Sequence, residues 1–206
     1  MAKNVFISFR FSDGNKYKEE LAKIFEEEEY VVDYSEDEDR SEMSEETIKE
    51  YLYSKLREIS VIIVILTPEA INYKKDGDGN YDDWLYDELR YSLENRDDNK
   101  TKGAIAVYTN ESKNELISEN THECSICKKK TNVKTIHEFE NLVRRNMMNV
   151  KDEYKKNKCN GIYDSLEDSY ISLISYDDFK KDIKKYIKNA SDKKEKLSNY
   201  NIVKKM

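Results

Sequence analysis

Six consecutive aliphatic residues, Val61 to Leu66 (VIIVIL), constrain this chain more than any other feature. A strand that is apolar on both sides must be covered on both faces, as happens where helices sandwich a parallel sheet. The run therefore belongs at a sheet's centre. Four shorter stretches read as its companions: Asn4 to Phe9 (NVFISF), Tyr30 to Tyr34 (YVVDY), Gly103 to Thr109 (GAIAVYT) and Tyr170 to Ile174 (YISLI). Segments with helical periodicity alternate with them. Tyr17, Leu21, Ile24 and Phe25 share one helix face, as do Ile48, Leu52, Leu56 and Ile59, then Leu85, Leu89 and Leu93, and last Phe179, Ile183 and Ile187. This alternation predicts an α/β fold with a five-stranded parallel sheet flanked by helices. Local signals set the boundaries. Ser12-Asp13-Gly14 reads as the turn that ends the first strand, and Pro68 ends the third. Residues 76–80 (DGDGN) read as a flexible loop before a helix from about Asp82 to Asn95. Ser175 and Asp178 resemble a capping box that opens the last helix.

At 206 residues the chain has room for one substantial core. A single domain is expected over residues 1–190, with a lysine-rich C-terminal tail, 191–206, that frays. Roughly 60 residues separate the fourth and fifth strands, far more than a crossover needs. Residues of about 110–169 are therefore an insertion. It holds Cys124, Cys127, Cys159, His122, His137 and a helical stretch from Ile136 to Asn149.

Composition removes several function classes. Charged residues make up 38% of the chain, but the apolar ones are gathered into compact runs, so the chain is globular rather than disordered. With 36 basic and 43 acidic residues, and the basic ones densest in the C-terminal third, there is no basic face for nucleic acid in the N-terminal half. No apolar run approaches the roughly 20 residues of a membrane span. The opening MAKNVFISFR passes from one lysine straight into strand-like sequence, so a cytoplasmic location is expected. Three cysteines, an odd number, fit a reducing compartment. A single CxxC, Cys124 to Cys127, is half of a zinc signature; unpaired thiols are the expectation and no metal is assigned. Asp76, Asp78 and Asn80 open like a calcium loop, but the sixth position is Tyr81 and the twelfth Asp87.

In open parallel sheets, ligands bind beyond the carboxyl ends of the strands. No GxGxxG and no GxxxxGK[ST] occurs there, which removes the usual phosphate cradles. Both histidines lie in the insertion, so a Ser-His-Asp hydrolase would need an unusual architecture. What remains is Trp84 and Glu88, spaced i, i+4 on one helix face, rotated away from the leucine stripe and expected to face the loops. Taken alone, these residues read as a solvated helix glutamate and an indole covering the core. A receiver-type signalling domain would require an acidic cluster after the first strand, which Asp13 alone does not make.

NVFISFR resembles the first strand of TIR domains, and DDWLYDEL resembles their W-x-x-x-E motif, with the central aliphatic strand between them in the same order. The resemblance covers residues 3–110 and extends less fully over 170–190. Within TIR-like families the chain is similar to the bacterial TIR-like proteins of Thoeris anti-phage defence, some of which carry a cysteine-containing stretch and an asparagine-rich segment like Asn146 to Asn149. The resemblance implies a flavodoxin-like, TIR-like fold and cleavage of the nicotinamide–ribose bond of NAD⁺, with NAD⁺ as substrate and no bound cofactor. It casts Glu88 as the catalytic carboxylate and Trp84 as the aromatic before it. Ser8, Phe9 and Arg10 match the nucleotide-contacting loop after the first strand, and Asp33 and Tyr34 lie at the end of the second. Residues 35–46 take the place of the BB loop but contain neither the proline nor the glycine of receptor-type members, so self-assembly through that loop is not implied. The chemistry suits so sparse a site. Nicotinamide leaves NAD⁺ as a neutral molecule and needs no general acid, so one carboxylate beside the ribose can stabilise the developing positive charge. Trp84, Phe9 and Tyr34 could stack on the bases, and Arg10 could pair with the pyrophosphate. A cyclic ADP-ribose-type product signalling to a separate effector is the expected output. A non-catalytic module acting through TIR–TIR contacts, in a homo-oligomer or wider assembly, is the alternative.

Overall fold

A computed structural model of the protein describes residues 2–27, 31–33, 44–96, 98–138, 141–159 and 161–206. Its five parallel strands are β1 (Lys3–Ser8), β2 (Val31–Asp33), β3 (Val61–Leu66), β4 (Gly103–Tyr108) and β7 (Ile171–Ser175), in the order β2-β1-β3-β4-β7. The strand read as central is central: β3 pairs with β1 on one side and β4 on the other, and all six of its residues are buried. The sheet is the expected flavodoxin-like, TIR-like architecture.

Alternation along the strands makes two cores. Phe6, Ile62, Val64, Leu66 and Ala106 face α2 (Glu45–Glu58) and α3 (Trp84–Leu93), meeting Leu52, Leu56, Leu85 and Leu89. Val5, Ile7, Ile63, Ile65 and Ile105 face the other layer, meeting Leu21 and Phe25 of α1 (Phe11–Glu27). The same layer holds Phe179 of α6 (Tyr176–Lys181) and Ile183 and Ile187 of α7 (Ile183–Lys194). Gly103 opens β4 because α7 lies against it: a Cβ there would stand 2.4 Å from the Ala190 carbonyl oxygen.

Several local expectations are corrected. Ser12-Asp13-Gly14 is not a turn but part of the first turn of α1. Asp13 there accepts hydrogen bonds from Thr67 Oγ1 (2.6 Å) and the Glu69 backbone N–H (3.0 Å), tying the helix to the exit of β3. Residues 76–80 form an ordered turn rather than a flexible loop: Asp76 accepts from the backbone N–H groups of Asp78 (2.9 Å) and Asn80 (2.8 Å). Tyr30 and Tyr34, the expected ends of the second strand, lie outside the described residues. The capping box is present, with the Asp178 N–H donating to Ser175 Oγ at 3.2 Å. Its helix, however, breaks at Asp182, which caps α7 by accepting from the Lys185 N–H.

The insertion departs most from expectation. α4 (Lys113–Leu116) leads into an antiparallel hairpin of β5 (Ile117–Glu123) and β6 (Lys130–Ile136). The helix expected over Ile136 to Asn149 shrinks to α5 (Leu142–Arg145), because buried asparagines take over backbone hydrogen bonds that would have continued it. Asn141 caps α5, accepting from the Val143 N–H at 2.9 Å, and donates to the Ile71 carbonyl at 3.2 Å. The tail does not fray either. Ser191 and Lys193 are buried within α7, and residues 199–206 run back across the domain. Fully buried Asn146 donates to the Leu142 (2.9 Å) and Val203 (2.8 Å) carbonyls and accepts from the Val203 N–H (3.0 Å). Asn149 holds the Asn201 carbonyl at 3.0 Å and accepts from the Tyr170 N–H at 2.8 Å. Lysine content concealed these partners, which lie about 50 residues away in sequence and so leave no local signal. Asn146→Ala removes the side-chain partner of three backbone groups and is expected to cost about 2–4 kcal/mol. Urea denaturation would read that loss, and proteolysis beyond residue 195 should become faster.

Two lysines bear on pH dependence. Burial pushes Lys193 down to about 7, against the pull of Glu167, Asp164 and Asp168, while its ammonium donates to Ser172 Oγ at 2.7 Å. Burial likewise lowers Lys102 to about 8, with Lys194 adding and Glu58 opposing. Between these values and the ordinary lysine value of 10.5, the unfolded chain holds protons that the folded chain has released, so raising the pH favours the folded state. Buried tyrosines such as Tyr176, raised above their ordinary 10.0, oppose further gains once unfolded tyrosines ionise. Stability is thus expected to climb by about 1–3 kcal/mol from about pH 7 to about pH 9. Lys193→Met should flatten most of that slope in denaturation curves taken at the two pH values.

Candidate active site

β1 ends at Ser8, opposite Val64 near the end of β3, and α3 packs against both strands, so three chain segments meet at the C-terminal rim of the sheet. Alternation places Ser8 on the side of Phe6, beneath α3. Glu88, one turn into that helix, points down at it: Ser8 Oγ donates to Glu88 Oε2 at 2.5 Å, and Glu88 is only 9% exposed. The carboxylate therefore does not face the loops away from the leucine stripe, as its spacing led one to expect. It sits at the rim beside Leu85 and Leu89, because α3 is buried over more than half of its circumference.

The start of α3 is held by Asp83, whose side chain is fully buried. Its carboxylate accepts the Tyr86 N–H at 3.2 Å as a helix cap and the Lys74 N–H at 2.5 Å, and it forms an ion pair with Arg10. Arg10, expected to meet a pyrophosphate, is thus engaged by a residue the sequence reading passed over. An aspartate just before the first helical residue is a cap signal that could have identified Asp83. The Arg10 side chain is 11% exposed, and its Nε is buried with no hydrogen-bond partner among the described residues.

The other candidates separate. Phe9 follows the opposite alternation: it packs with the α1 layer, 5.4 Å from the Phe11 ring centroid and against Gly14, where a Cβ would come within 3.1 Å of Phe9 Cβ. It lies on the other face of the sheet from Glu88. Asp33 ends β2, but its register partner is Val5, three residues short of Ser8, which leaves it about 10 Å below the rim. Tyr34 lies outside the described residues. Trp84 is half-buried over the α2–α3 core and lines a cleft with Lys49, Tyr81, Asp83 and Asp87. That cleft measures about 70 Å³, room for a few waters and far below a ligand pocket. Glu88 is not among the residues lining it. Burial pushes the Asp87 carboxyl upward, but hydrogen bonds from Arg90 and Tyr53 and the charge of Lys49 outweigh it and hold the group below the usual carboxylate range. Asp87 is consequently a structural anion that joins α2 to α3.

Ser8, Arg10, Asp83 and Glu88 are what the structure assembles at the rim, on a sheet whose order and covering helices are those of a TIR-like domain. The family of the Thoeris protein ThsB, TIR-like domain, matches residues 6–114, more than half of the chain. The chain belongs to this family and is a TIR-like module of a defence system. No curated protein matches it. The matched segment ends before the β5–β6 hairpin, so the cysteines lie outside it. Among the described residues no helix is long and apolar enough to cross a membrane.

Proposed function

We propose that this protein cleaves the nicotinamide–ribose bond of NAD⁺, with Glu88 as the carboxylate that stabilises the ribose cation. The observation that carries this reading is the Ser8–Glu88 contact: one carboxylate, nine-tenths buried, at the C-terminal rim of a TIR-like sheet. A negative charge in such a place is worth more to a developing oxocarbenium ion than one in bulk water. Nicotinamide leaves neutral with the bonding electrons. Either water then attacks the ribosyl carbon and releases a proton, giving ADP-ribose, or a nucleophile of the same dinucleotide attacks and gives a cyclic product. Ser8 orients the carboxylate until a ribose hydroxyl takes its place as donor. Asp83 holds Arg10 through Nη2, and the buried Nε, without a partner among the described residues, is a donor left for a phosphate.

The pairing of these rim side chains with one another also favours a second reading, a non-catalytic module that works by contacting other TIR domains. In the structure both Glu88 and Arg10 already have protein partners. Incubating the protein with NAD⁺, with and without extract of phage-infected cells, and identifying products by mass spectrometry separates the two. Release of nicotinamide supports the enzyme; unchanged NAD⁺ under both conditions supports the contact module.

A further inference from the structure

Cys159 is distant in sequence from Cys124 and Cys127, yet the three sulfur atoms all lie within 4.8 Å of one another. Two come from the tip of the β5–β6 hairpin and one from the segment after α5, so this is a tertiary arrangement rather than the accident of a CxxC. The hairpin tip has the form of a metal-binding knuckle. The Cys124 N–H donates to the Lys129 carbonyl at 2.9 Å and the Lys128 N–H to the Cys124 carbonyl at 2.9 Å, while the Cys127 N–H points at Cys124 Sγ at 3.5 Å. Lys128 is held at φ 57°, a left-handed conformation that a lysine seldom adopts and that keeps this loop turned back on its sulfur. The third cysteine is secured independently. The Cys159 N–H donates to Asn157 Oδ1 at 3.0 Å, Lys155 Nζ donates to the Cys159 carbonyl at 2.9 Å, and Thr131 of β6 donates to the Tyr163 carbonyl at 2.7 Å, joining the two segments.

We infer that these three cysteines bind a zinc ion that pins the hairpin to the segment around Cys159. Zinc–sulfur bonds of about 2.3 Å in a tetrahedron place sulfur atoms about 3.8 Å apart, within a small contraction of the observed cluster. Three soft thiolates on a redox-inert tetrahedral ion are the donor set that suits zinc in a reducing compartment. On binding, each thiol gives its proton to solvent, so three protons leave and the site carries one negative charge, beside Lys128, Lys129 and Lys155. The fourth position takes a nitrogen or oxygen donor. His122 stands two residues before Cys124 on β5, with its ring packed against Gly161, where a Cβ would come within 2.7 Å of Nε2. That glycine, at φ +77°, leaves the imidazole its place two residues beyond Cys159, but the ring nitrogens stand outside the group of three sulfur atoms, so the fourth donor is a water or this ring after it turns.

The test is metal analysis of the full chain, purified without a histidine tag or chelator. The expected result is about one zinc per chain, released when a mercurial titrates the thiols, and cobalt substitution that gives thiolate charge-transfer and tetrahedral ligand-field bands. X-ray absorption should show three sulfur neighbours and one light atom. Cys159→Ser, which leaves the hairpin intact, should lose the zinc and the cobalt bands while circular dichroism of the sheet is retained. A folded wild-type chain whose three thiols all react freely with a thiol reagent, without metal before or after incubation with zinc or cobalt, would overturn the inference. So would a disulfide between any two of them in protein from reducing cells.

Discussion

Glu88→Gln is expected to lower the rate of nicotinamide release by about 10²–10³-fold, the usual consequence of removing one group that stabilises charge only in the transition state. The substitution preserves shape, and the amide oxygen can still accept from Ser8 Oγ at the 2.5 Å contact, so folding should be little changed. The loss should fall on kcat rather than KM, since the negative charge matters most once the ribose becomes cationic. Ser8→Ala tests orientation separately: it keeps the charge but removes the donor, and its loss should be the smaller of the two. Time courses of NAD⁺ and nicotinamide by liquid chromatography, normalised to thermally intact protein, give both numbers. Equal turnover by wild type and Glu88→Gln would remove the assigned role and leave the contact-module reading.

How much of this was legible beforehand depended on the range of the interactions. The sheet could be read because its signal is local and redundant: six aliphatic residues in a row fix β3, and the leucine stripe of α3 fixes which side of that helix is covered. The site was legible only as residue types. Glu88 could be singled out, but its direction could not, because a helix that buries most of its surface has no polar face from which to infer one. Strand alternation did hold a correction for Phe9: Ile7 and Phe9 must share a face, and Ser8 must have the other. The Arg10–Asp83 pair joins residues 73 positions apart and appears in no window of sequence. The insertion was least legible. Its asparagines satisfy backbone groups of distant segments, and its cysteines converge through a hairpin that an apolar-periodicity reading, drawn to residues 136–149, could not see.

Asp83→Ala should be the most damaging single change to stability, by about 3–5 kcal/mol, because it removes more than a helix cap. A cap alone is worth about 1 kcal/mol. Here the same carboxylate also neutralises Arg10, whose side chain is 11% exposed, and accepts the Lys74 N–H that closes the loop between β3 and α3. Without Asp83 the guanidinium is a buried charge with no counterion, and that term dominates. It follows that Asp83→Ala with Arg10→Met should recover much of the loss, since an apolar side chain of similar length costs nothing to leave unpaired. Urea midpoints for the two single variants and the double variant give the coupling energy directly. A loss near 1 kcal/mol for Asp83→Ala, with no recovery in the double variant, would mean that the pair is solvated well enough to contribute only as a cap. Arg10 would then be free for a ligand phosphate, and the rim would be more open than the contact with Asp83 implies.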